Sequence, residues 1–238
     1  MENNNILKSS VIIGLSFIIG FIIISYSLIQ IKSFDNLLVV TGSSKQLVVS
    51  DIAKWNASFS RSSYDTNLNN GYTKMKSDEE IVRSFLRENG VSENEITITP
   101  VSMQKNYKYD SNYDKPDEYT LTQNVTIESN DIEKIKLIST SAQSVIEKGV
   151  IFSANAPQYY YSKLSESRID LLPLAMEDAR KRAESISGKK AGSLKSVSMG
   201  VVQVLQPNSV DISDYGMYDT STVEKEIMIT VRASFSLK

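Results

Sequence analysis

The strongest constraint on this chain is an apolar stretch near its N-terminus. No charged residue occurs from Ser9 to Ile31, and a lysine stands on either side of the stretch. As a helix it would extend roughly 35 Å, against about 30 Å for the hydrocarbon core of a bilayer. It is apolar on every side, whereas a surface helix of a soluble domain has a polar face. We therefore predict a transmembrane anchor over residues 9–31, between a short polar head at residues 1–8 and a spacer at residues 32–36.

A cleaved signal peptide is the alternative interpretation of this stretch. Ser25-Tyr26-Ser27 offers the small-x-small pattern of a cleavage site, but apolar residues continue beyond it and the run is long for a signal peptide. We expect the helix to be retained. A short polar head usually stays in the cytoplasm. The chain is then a single-pass protein of the cell membrane, with a cytoplasmic N-terminus, an extracytoplasmic C-terminal domain, and membrane lipid contacted through the N-terminal helix.

The composition removes several classes of chemistry. The chain has no cysteine and no histidine. Disulfides, thiolate metal sites, and Ser-His-Asp or Cys-His mechanisms are therefore excluded, while carboxylate, lysine and tyrosine chemistry stays open. The formal net charge is −2, and the sequence lacks the basic clusters of a nucleic-acid-binding protein. We expect no nucleic acid partner, no cofactor and no metal.

Hydrophobic periodicity predicts the fold class of the remaining residues. From Ala53 to Phe59 apolar and polar residues alternate, as in a strand with one buried face, and Trp55 is on the apolar side. Helices with apolar stripes are predicted over residues 65–89, 130–149 and 165–187, the second capped by Asn130. The other predicted strands are residues 37–42, 96–98, 121–127, 150–152, 159–161, 194–205 and 226–237. This ββαββα(β)αββ order predicts one α+β domain over residues 37–238, an antiparallel sheet with helices packed on one face.

The third predicted helix has three features that bear on its packing. Its apolar stripe comprises Ile169, Leu172, Met176, Ala179, Ala183 and Ile186. The small side chains of Ala179 and Ala183 predict a close approach to a sheet. Pro173 predicts either a kink or a late helix start. Glu177 and Asp178 each precede a basic residue by four positions, which predicts ion pairs on the solvated face rather than a catalytic acid–base pair.

Two acidic and aromatic segments are the candidates for a functional site. The segment Tyr107–Tyr119 is either a cation or ligand clamp or the solvated tip of a hairpin, and it lacks the spacing of a calcium loop. The segment Val210–Thr222 is either a partner-contact loop or a plain connection between strands. The candidate contact residues of this second segment are Asp211, Asp214, Tyr215, Tyr218 and Asp219.

The last predicted strand suggests how copies of the chain could associate. A chain-terminal strand often lies at the edge of a sheet, where unpaired N–H and C=O groups can accept another strand. Residues 226–237 contain no proline, and Arg232 is the one charged residue in the middle of the strand. We therefore predict a homo-oligomer that forms through this edge, with the segment Val210–Thr222 fixing the geometry.

The ordered set of short motifs resembles a known family. The motifs are Val40-Thr41-Gly42, Ser50-Asp51 followed by Trp55, Gly90-Val91 with Thr97-Ile98-Thr99, the pair Tyr107 and Tyr109, the helix alanines Ala175, Ala179 and Ala183, and the tail Asp214-Tyr215-Gly216 with Asp219-Thr220-Ser221. No motif is specific alone, but the set from Leu38 to Lys238 resembles the SIMPL-domain family of bacterial extracytoplasmic proteins, grouped with periplasmic immunogenic and oxidative-stress-defence proteins. Pro173 departs from the alanine-rich helix of that family.

The resemblance implies an α+β domain, an export signal or anchor, and, in some members, ring-like or channel-like assembly. It offers no agreed catalytic residues. We therefore expect a membrane-tethered extracytoplasmic protein that acts by self-assembly or by binding an unidentified protein, in the envelope or in oxidative-stress defence, and not an enzyme. Two alternatives stay open. One is an enzyme that uses carboxylates or tyrosines of the two segments, and the other is a signalling adaptor, because a eukaryotic relative is linked to kinase signalling.

Overall fold

The computed structural model describes residues 2–32, 37–107 and 116–237, and the chain divides into two compact units. Unit 1 comprises residues 1–44, 169–201 and 229–238, and unit 2 comprises residues 45–168 and 202–228. The helices are α1 (Glu2–Lys32), α2 (Leu68–Glu88), α3 (Ile132–Ser141), α4 (Gln143–Glu147) and α5 (Leu164–Ser187). The strands are β1 (Leu37–Val49), β2 (Ile52–Tyr64), β3 (Ile96–Ile98), β4 (Ser102–Asn106), β5 (Glu118–Ser129), β6 (Ile151–Ala154), β7 (Gln158–Tyr160), β8 (Ala191–Met199), β9 (Gln203–Leu205), β10 (Met217–Tyr218) and β11 (Glu224–Leu237).

The α+β class is confirmed, but the prediction of one sheet is wrong. The described strands form a six-stranded sheet in the order β3–β5–β2–β6, with β4 beside β5 and β7 beside β2. The other strands form a five-stranded sheet in the order β1–β11–β9–β10, with β8 also beside β11. Alternation along a strand reports which face is buried and not which strand is its partner. One sheet and two sheets therefore give the same sequence pattern.

Unit 2 is built on a long antiparallel ladder between β2 and β5. The predicted inner face of β2 is confirmed, since Trp55 and Phe59 are almost wholly buried. The indole N–H of Trp55 donates to the carbonyl oxygen of Asn155 at 2.9 Å. Apolar residues of α2, α3 and α4 complete the core on this side of the sheet. The helices thus cover one face, as predicted.

An ion pair between a buried carboxylate and a half-buried guanidinium lies beside this core. Asp78 of α2 occupies a buried position on the apolar stripe of the helix. The guanidinium of Arg61, on β2, donates to both Asp78 carboxylate oxygens, at 2.5 and 2.7 Å. The same guanidinium also donates to the carbonyl oxygen of Gly149 at 2.9 Å. The hydrogen bond that Arg61 donates to Asp78 raises the pKa of Arg61. Bidentate pairing satisfies the carboxylate and lets a charged residue occupy an apolar stripe.

Several predicted boundaries are displaced. The cap of α3 is Asp131 and not Asn130, because the Asp131 carboxylate accepts the backbone N–H of Lys134 at 2.9 Å. The predicted helix 130–149 is divided at Ala142 into α3 and α4. The predicted strand 194–205 is likewise divided into β8 and β9. These differences arise at turns, where apolar periodicity carries little information.

In unit 1, α5 packs closely against a strand. A Cβ atom added to Gly42 of β1 would collide with the carbonyl oxygen of Ala175 and the backbone of Ala179. The backbone N–H of Ser43 donates to the Asp178 carboxylate at 2.8 Å, and the Ser44 hydroxyl donates to a carbonyl oxygen of α5. The predicted close approach of the alanine face to a sheet is therefore confirmed. The close packing depends on the alanines of α5 and on Gly42 of β1.

The predicted apolar stripe of α5 is partly wrong. Ile169 and Ile186 are exposed, with 69% and 68% of their surface accessible, whereas Leu171 and Ala175 are buried. The narrow space beside Gly42 admits alanine but not isoleucine, so the buried line follows the alanines. The late helix start is also wrong, since α5 begins at Leu164 and contains Pro173. The two predicted ion pairs of the exposed face are confirmed at 2.7 and 2.8 Å.

The final strand is not a sheet edge, and that prediction is wrong. In unit 1, β11 has β1 on one side and pairs antiparallel with β8 on the other. The first strand of the domain therefore closes the side that was predicted to be free. The apolar inner face from Ile227 to Phe235 is buried as predicted, but Met228 and Ser234 of the predicted outer face are buried too. The described free edge on this side of the sheet belongs to β8.

The N-terminal helix α1 extends over Glu2–Lys32, and its described side chains are those of residues 13–29. Within the described part of the chain, none of the helices combines the length and the apolar character that a membrane crossing requires. Most of the large apolar side chains of α1 are exposed, including Phe17, Phe21 and Ile29. The predicted membrane anchor thus stays a prediction.

Candidate functional site

The segment predicted as a partner-contact loop, Val210–Thr222, lies between β9 and β11 in unit 2 and contains β10. Strand β10 pairs in parallel with β9, Met217 beside Gln203 and Tyr218 beside Val204. The side-chain amide of Gln203 donates to the carbonyl oxygen of Ser213 at 2.5 Å. This bond ties the middle of the loop to a buried strand. The loop has a fixed base, formed by Tyr218, Asp219 and Lys225, and a projecting tip, formed by residues 210–215.

Tyr218 is held at the base by three contacts. Its ring lies 5.9 Å from the ring of Tyr160 at 31°. Its hydroxyl oxygen accepts the backbone N–H of Tyr161 at 2.8 Å. The ammonium of Lys225 lies 5.8 Å from the centre of the Tyr218 ring, within cation–π range. Burial raises the pKa of the Tyr218 phenol, so the side chain stays neutral.

Asp219 is a structural carboxylate. It accepts hydrogen bonds from the backbone N–H groups of Ser221 and Thr222, each at 3.1 Å, and from both of their hydroxyl groups. Burial works to raise its pKa, but these hydrogen bonds outweigh burial and hold the pKa of Asp219 far below its ordinary value. A carboxylate fixed in this way accepts a proton poorly. It can order the turn but is unsuited to general acid–base catalysis.

Lys225 completes the base from inside the molecule. Its side chain is fully buried. The ammonium donates to the carbonyl oxygens of Asp219 at 2.6 Å and Thr222 at 2.7 Å, and it lies 3.4 Å from the Asp219 carboxylate. Burial lowers the pKa of Lys225. The ammonium thus fastens both ends of the Asp219–Thr222 turn.

Asp51 fixes a neighbouring turn of unit 2 in a similar way. Its carboxylate accepts the backbone N–H of Ser162 at 2.8 Å and the Ser162 hydroxyl at 2.5 Å. Burial opposes the charged form, but the bonds from Ser162 lower the pKa of Asp51. Nearby, the backbone N–H of Tyr159 donates to the carbonyl oxygen of Thr220 at 2.8 Å. The loop base is therefore joined to β7 and to the turn that follows it.

The tip of the loop is exposed and partly apolar. Val210, Ile212 and Tyr215 have 90%, 65% and 97% of their surface accessible. Asp211 and Asp214 are exposed as well, and neither forms an ion pair with another described residue. Large apolar side chains in such a position contribute nothing to a core, and clustered exposure of this kind is typical of an interaction site.

The structure separates the five predicted contact residues into two groups. Tyr218 and Asp219 belong to the base, while Asp211, Asp214 and Tyr215 belong to the tip. Sequence reasoning missed Lys225, although a signal was present. The alternation of the last strand, continued backwards from Ile227, places Lys225 on the buried face.

Comparison with known protein families shows which family the chain belongs to. The family described as "SIMPL: Protein of unknown function (DUF541)" matches residues 38–237. The chain belongs to the SIMPL family. No curated protein matches it. The family match begins after α1 and assigns no activity, so the membrane anchor and a role in stress defence stay predictions.

Several motifs that suggested SIMPL have structural roles in this chain. Gly42 allows α5 to approach β1, Asp51 fixes the turn at Ser162, and Trp55 fills the core of unit 2. The Asp219-Thr220-Ser221 motif forms the loop base. The motifs that identify this SIMPL domain therefore include residues that build it.

The other candidate segment of the SIMPL domain is described only at its ends. Strands β4 and β5 pair antiparallel up to Asn106 and Glu118, and Lys105 forms an ion pair with Asp117 at 2.5 Å. Tyr109, Asp110, Tyr113 and Asp114 lie outside the described residues. The predicted choice between a clamp and a solvated tip stays open.

Proposed function

We propose that this SIMPL protein is a membrane-tethered, extracytoplasmic and non-enzymatic protein. It acts by self-assembly through the tip, residues 210–215, of its Val210–Thr222 loop. The observation that carries the proposal is the contrast between the fixed base and the exposed tip. Lys225, Asp219 and Gln203 hold the loop with hydrogen bonds. Val210, Ile212 and Tyr215 nonetheless project with most of their surface accessible. A preorganised apolar projection loses little entropy on binding.

The chemistry of the loop base supports binding over catalysis. Asp219 has its carboxylate occupied by four donors. Tyr218 has a raised pKa because of burial, which disfavours the phenolate that a base or nucleophile would need. The ammonium of Lys225 is enclosed by acceptors. These groups would have to abandon structural contacts before they could react.

The sequence and exposure of α1 support the tether. From Ser9 to Ile31 the chain has no charged residue, and side chains such as Ile18 and Ile22 have about three-fifths of their surface accessible, 59% and 62%. Apolar side chains exposed around a whole helix favour contact with lipid. A membrane would also concentrate copies of the chain in a plane, so a weak contact would suffice for assembly.

The test is sedimentation of the full-length chain in detergent over a concentration series. We expect wild type to associate, and Ile212→Ser to weaken association about tenfold through loss of buried apolar contact. The matched control is Ile186→Ser on α5, which replaces an isoleucine of nearly equal exposure, 68% against 65%. A wild-type chain that stays monomeric, or equal effects of the two substitutions, would contradict the proposal.

A further inference from the structure

The free edge of β8 offers a surface that fits the loop tip. Among the described strands, β8 pairs with β11 alone. Every residue from Ser193 to Met199 is exposed. The backbone groups on the far side of such a strand are available for pairing with another strand. The register with β11 shifts between Ser196 and Leu194, so Lys195 has no partner residue on β11, and the regular part of the edge, Ser196–Met199, ends beside Lys195.

This edge is apolar and basic. Val197 and Met199 have 53% and 54% of their surface accessible. Lys189, Lys190 and Lys195 are exposed beside or within β8 and form no ion pair with another described residue. The strand that fits such an edge should carry apolar residues at alternate positions together with negative charge.

The loop tip has these properties. Val210 and Ile212 are separated by one residue, as Val197 and Met199 are. Asp211 and Asp214 supply negative charge without an ion-pair partner among the described residues. No proline interrupts residues 208–215. Residues 209–213 have no regular secondary structure and precede the turn at Asp214 and Tyr215, so they can pair as a short strand with a sheet edge.

We infer that the loop tip of one copy of the chain adds as an antiparallel strand to the β8 edge of another copy. The inference rests on the proposed self-assembly and names the two surfaces that meet. If Ile212 lies opposite Val197 and Val210 lies opposite Met199, then Asp214 lies opposite Lys195. A parallel arrangement would instead place the uncharged Asn208 opposite Lys195. The antiparallel register thus joins the apolar pairs and the opposite charges at once.

Two different surfaces meet in this arrangement, so a pair of copies keeps one free tip and one free edge. The contact is heterologous and can continue to a third copy. Assembly should therefore proceed beyond a dimer as concentration rises. A contact of β8 with β8 would instead be isologous and would stop at two copies.

The first experiment is charge reversal in the full-length chain, measured by sedimentation in detergent. We expect Lys195→Asp and Asp214→Lys each to weaken association about tenfold, and the double variant to restore it, because only the double variant again places opposite charges across the strands. The matched control combines Lys195→Asp with Asp211→Lys. In the inferred register Asp211 lies opposite Ser198, so this control should not restore association.

The second experiment uses the absence of cysteine in the chain. Full-length Val197→Cys and Ile212→Cys, each with a different tag, are mixed and oxidised. Directly opposite residues on antiparallel strands bring their Cβ atoms to about 5 Å, near the range of a disulfide. We expect a disulfide that joins the two differently tagged chains. Mixing Val197→Cys with Ile186→Cys is the control and should give little of this product.

The outcomes separate this inference from the function on which it rests. A wild-type chain that stays monomeric overturns both. Association that withstands the charge reversals, or that both double variants restore equally, overturns the inferred register and leaves self-assembly in place. A disulfide product of Val197→Cys alone, in preference to the mixed product, would assign the edge to β8–β8 pairing and overturn the inference.

Discussion

Lys225 is a charged residue that stabilises the molecule from inside. Burial of an ammonium costs several kcal/mol unless acceptors replace its water. Lys225 has two carbonyl oxygens within 2.7 Å and the Asp219 carboxylate at 3.4 Å. These groups belong to the turn between β10 and β11. The base of the loop owes its fixed position to this buried cation.

Asp219→Asn should therefore destabilise the protein by about 3 kcal/mol at neutral pH, because Lys225 stays buried without its carboxylate partner. The native hydrogen bonds hold the pKa of Asp219 below its ordinary 3.8, although burial opposes this. A group with a depressed native pKa stabilises above its unfolded pKa and loses that contribution as pH falls. The difference between wild type and variant should be full near pH ~7 and should shrink below pH ~4.

Urea unfolding of the full-length chain at neutral and acidic pH measures this difference. Asp211→Asn is the control, because Asp211 is exposed at the loop tip. Its unfolding free energy should equal that of wild type at both pH values. Equal losses of unfolding free energy in Asp219→Asn and Asp211→Asn would mean that the Asp219–Lys225 pair does not stabilise the protein.

Individual residues were predictable where burial alone decides their position. Trp55 and Phe59 follow from alternation, and both are buried. The burial of Asp78 and Lys225 could not be predicted from alternation. Each charged side chain is buried together with partners that lie elsewhere in the sequence, such as Arg61 for Asp78. The candidate loop was found from its composition. Its division into base and tip required the hydrogen bonds.

At the scale of elements, the contact of β1 with α5 depends on the absence of a side chain at Gly42. Gly42→Val should destabilise unit 1, by about 1–3 kcal/mol as in other overpacked cores, because a Cβ would overlap the backbone of Ala175 and Ala179. Amide hydrogen exchange of the full-length chain measures this effect locally. Exchange should accelerate in residues 175–183 of α5.

Thr41→Ala is the matched control for this substitution. Thr41 is the neighbour of Gly42, and its side chain is exposed. Its exchange pattern should match that of wild type. Unchanged exchange in α5 of Gly42→Val would show that the helix can move away from the strand without cost, which is contrary to the expectation.

The positions of helices and strands in the sequence were more predictable than the pairing of strands with one another. Apolar periodicity located α5 to within one residue and α2 to within three, since each buries one stripe, but it ended β2 at Phe59 whereas the strand continues to Tyr64. It could not show that β1 lies beside β11, because strand partners leave no trace in the alternation of a single strand. The free sheet edge was therefore predicted at β11, whereas in the structure it belongs to β8.

At the scale of the whole molecule, the proposed membrane tether has the largest consequence. The full-length chain should float with phospholipid vesicles in a density gradient. Ile18→Lys combined with Ile22→Lys should greatly reduce flotation, since each lysine near the centre of a bilayer costs about 3 kcal/mol. Ile186→Lys on α5 is the control and should float as wild type does. A wild-type chain that remains with the soluble fraction would contradict the tether.

The order in which the chain is synthesised bears on how unit 1 forms. Strand β1 begins at Leu37, whereas its neighbour β11 ends at Leu237. Pairing between such distant segments closes a very long loop and is slow. The sheet beneath α5 cannot be completed until translation has reached β11. Throughout synthesis β1 therefore lacks its partner strand β11, and its unpaired backbone groups are open to pairing with a wrong strand until β11 has been made.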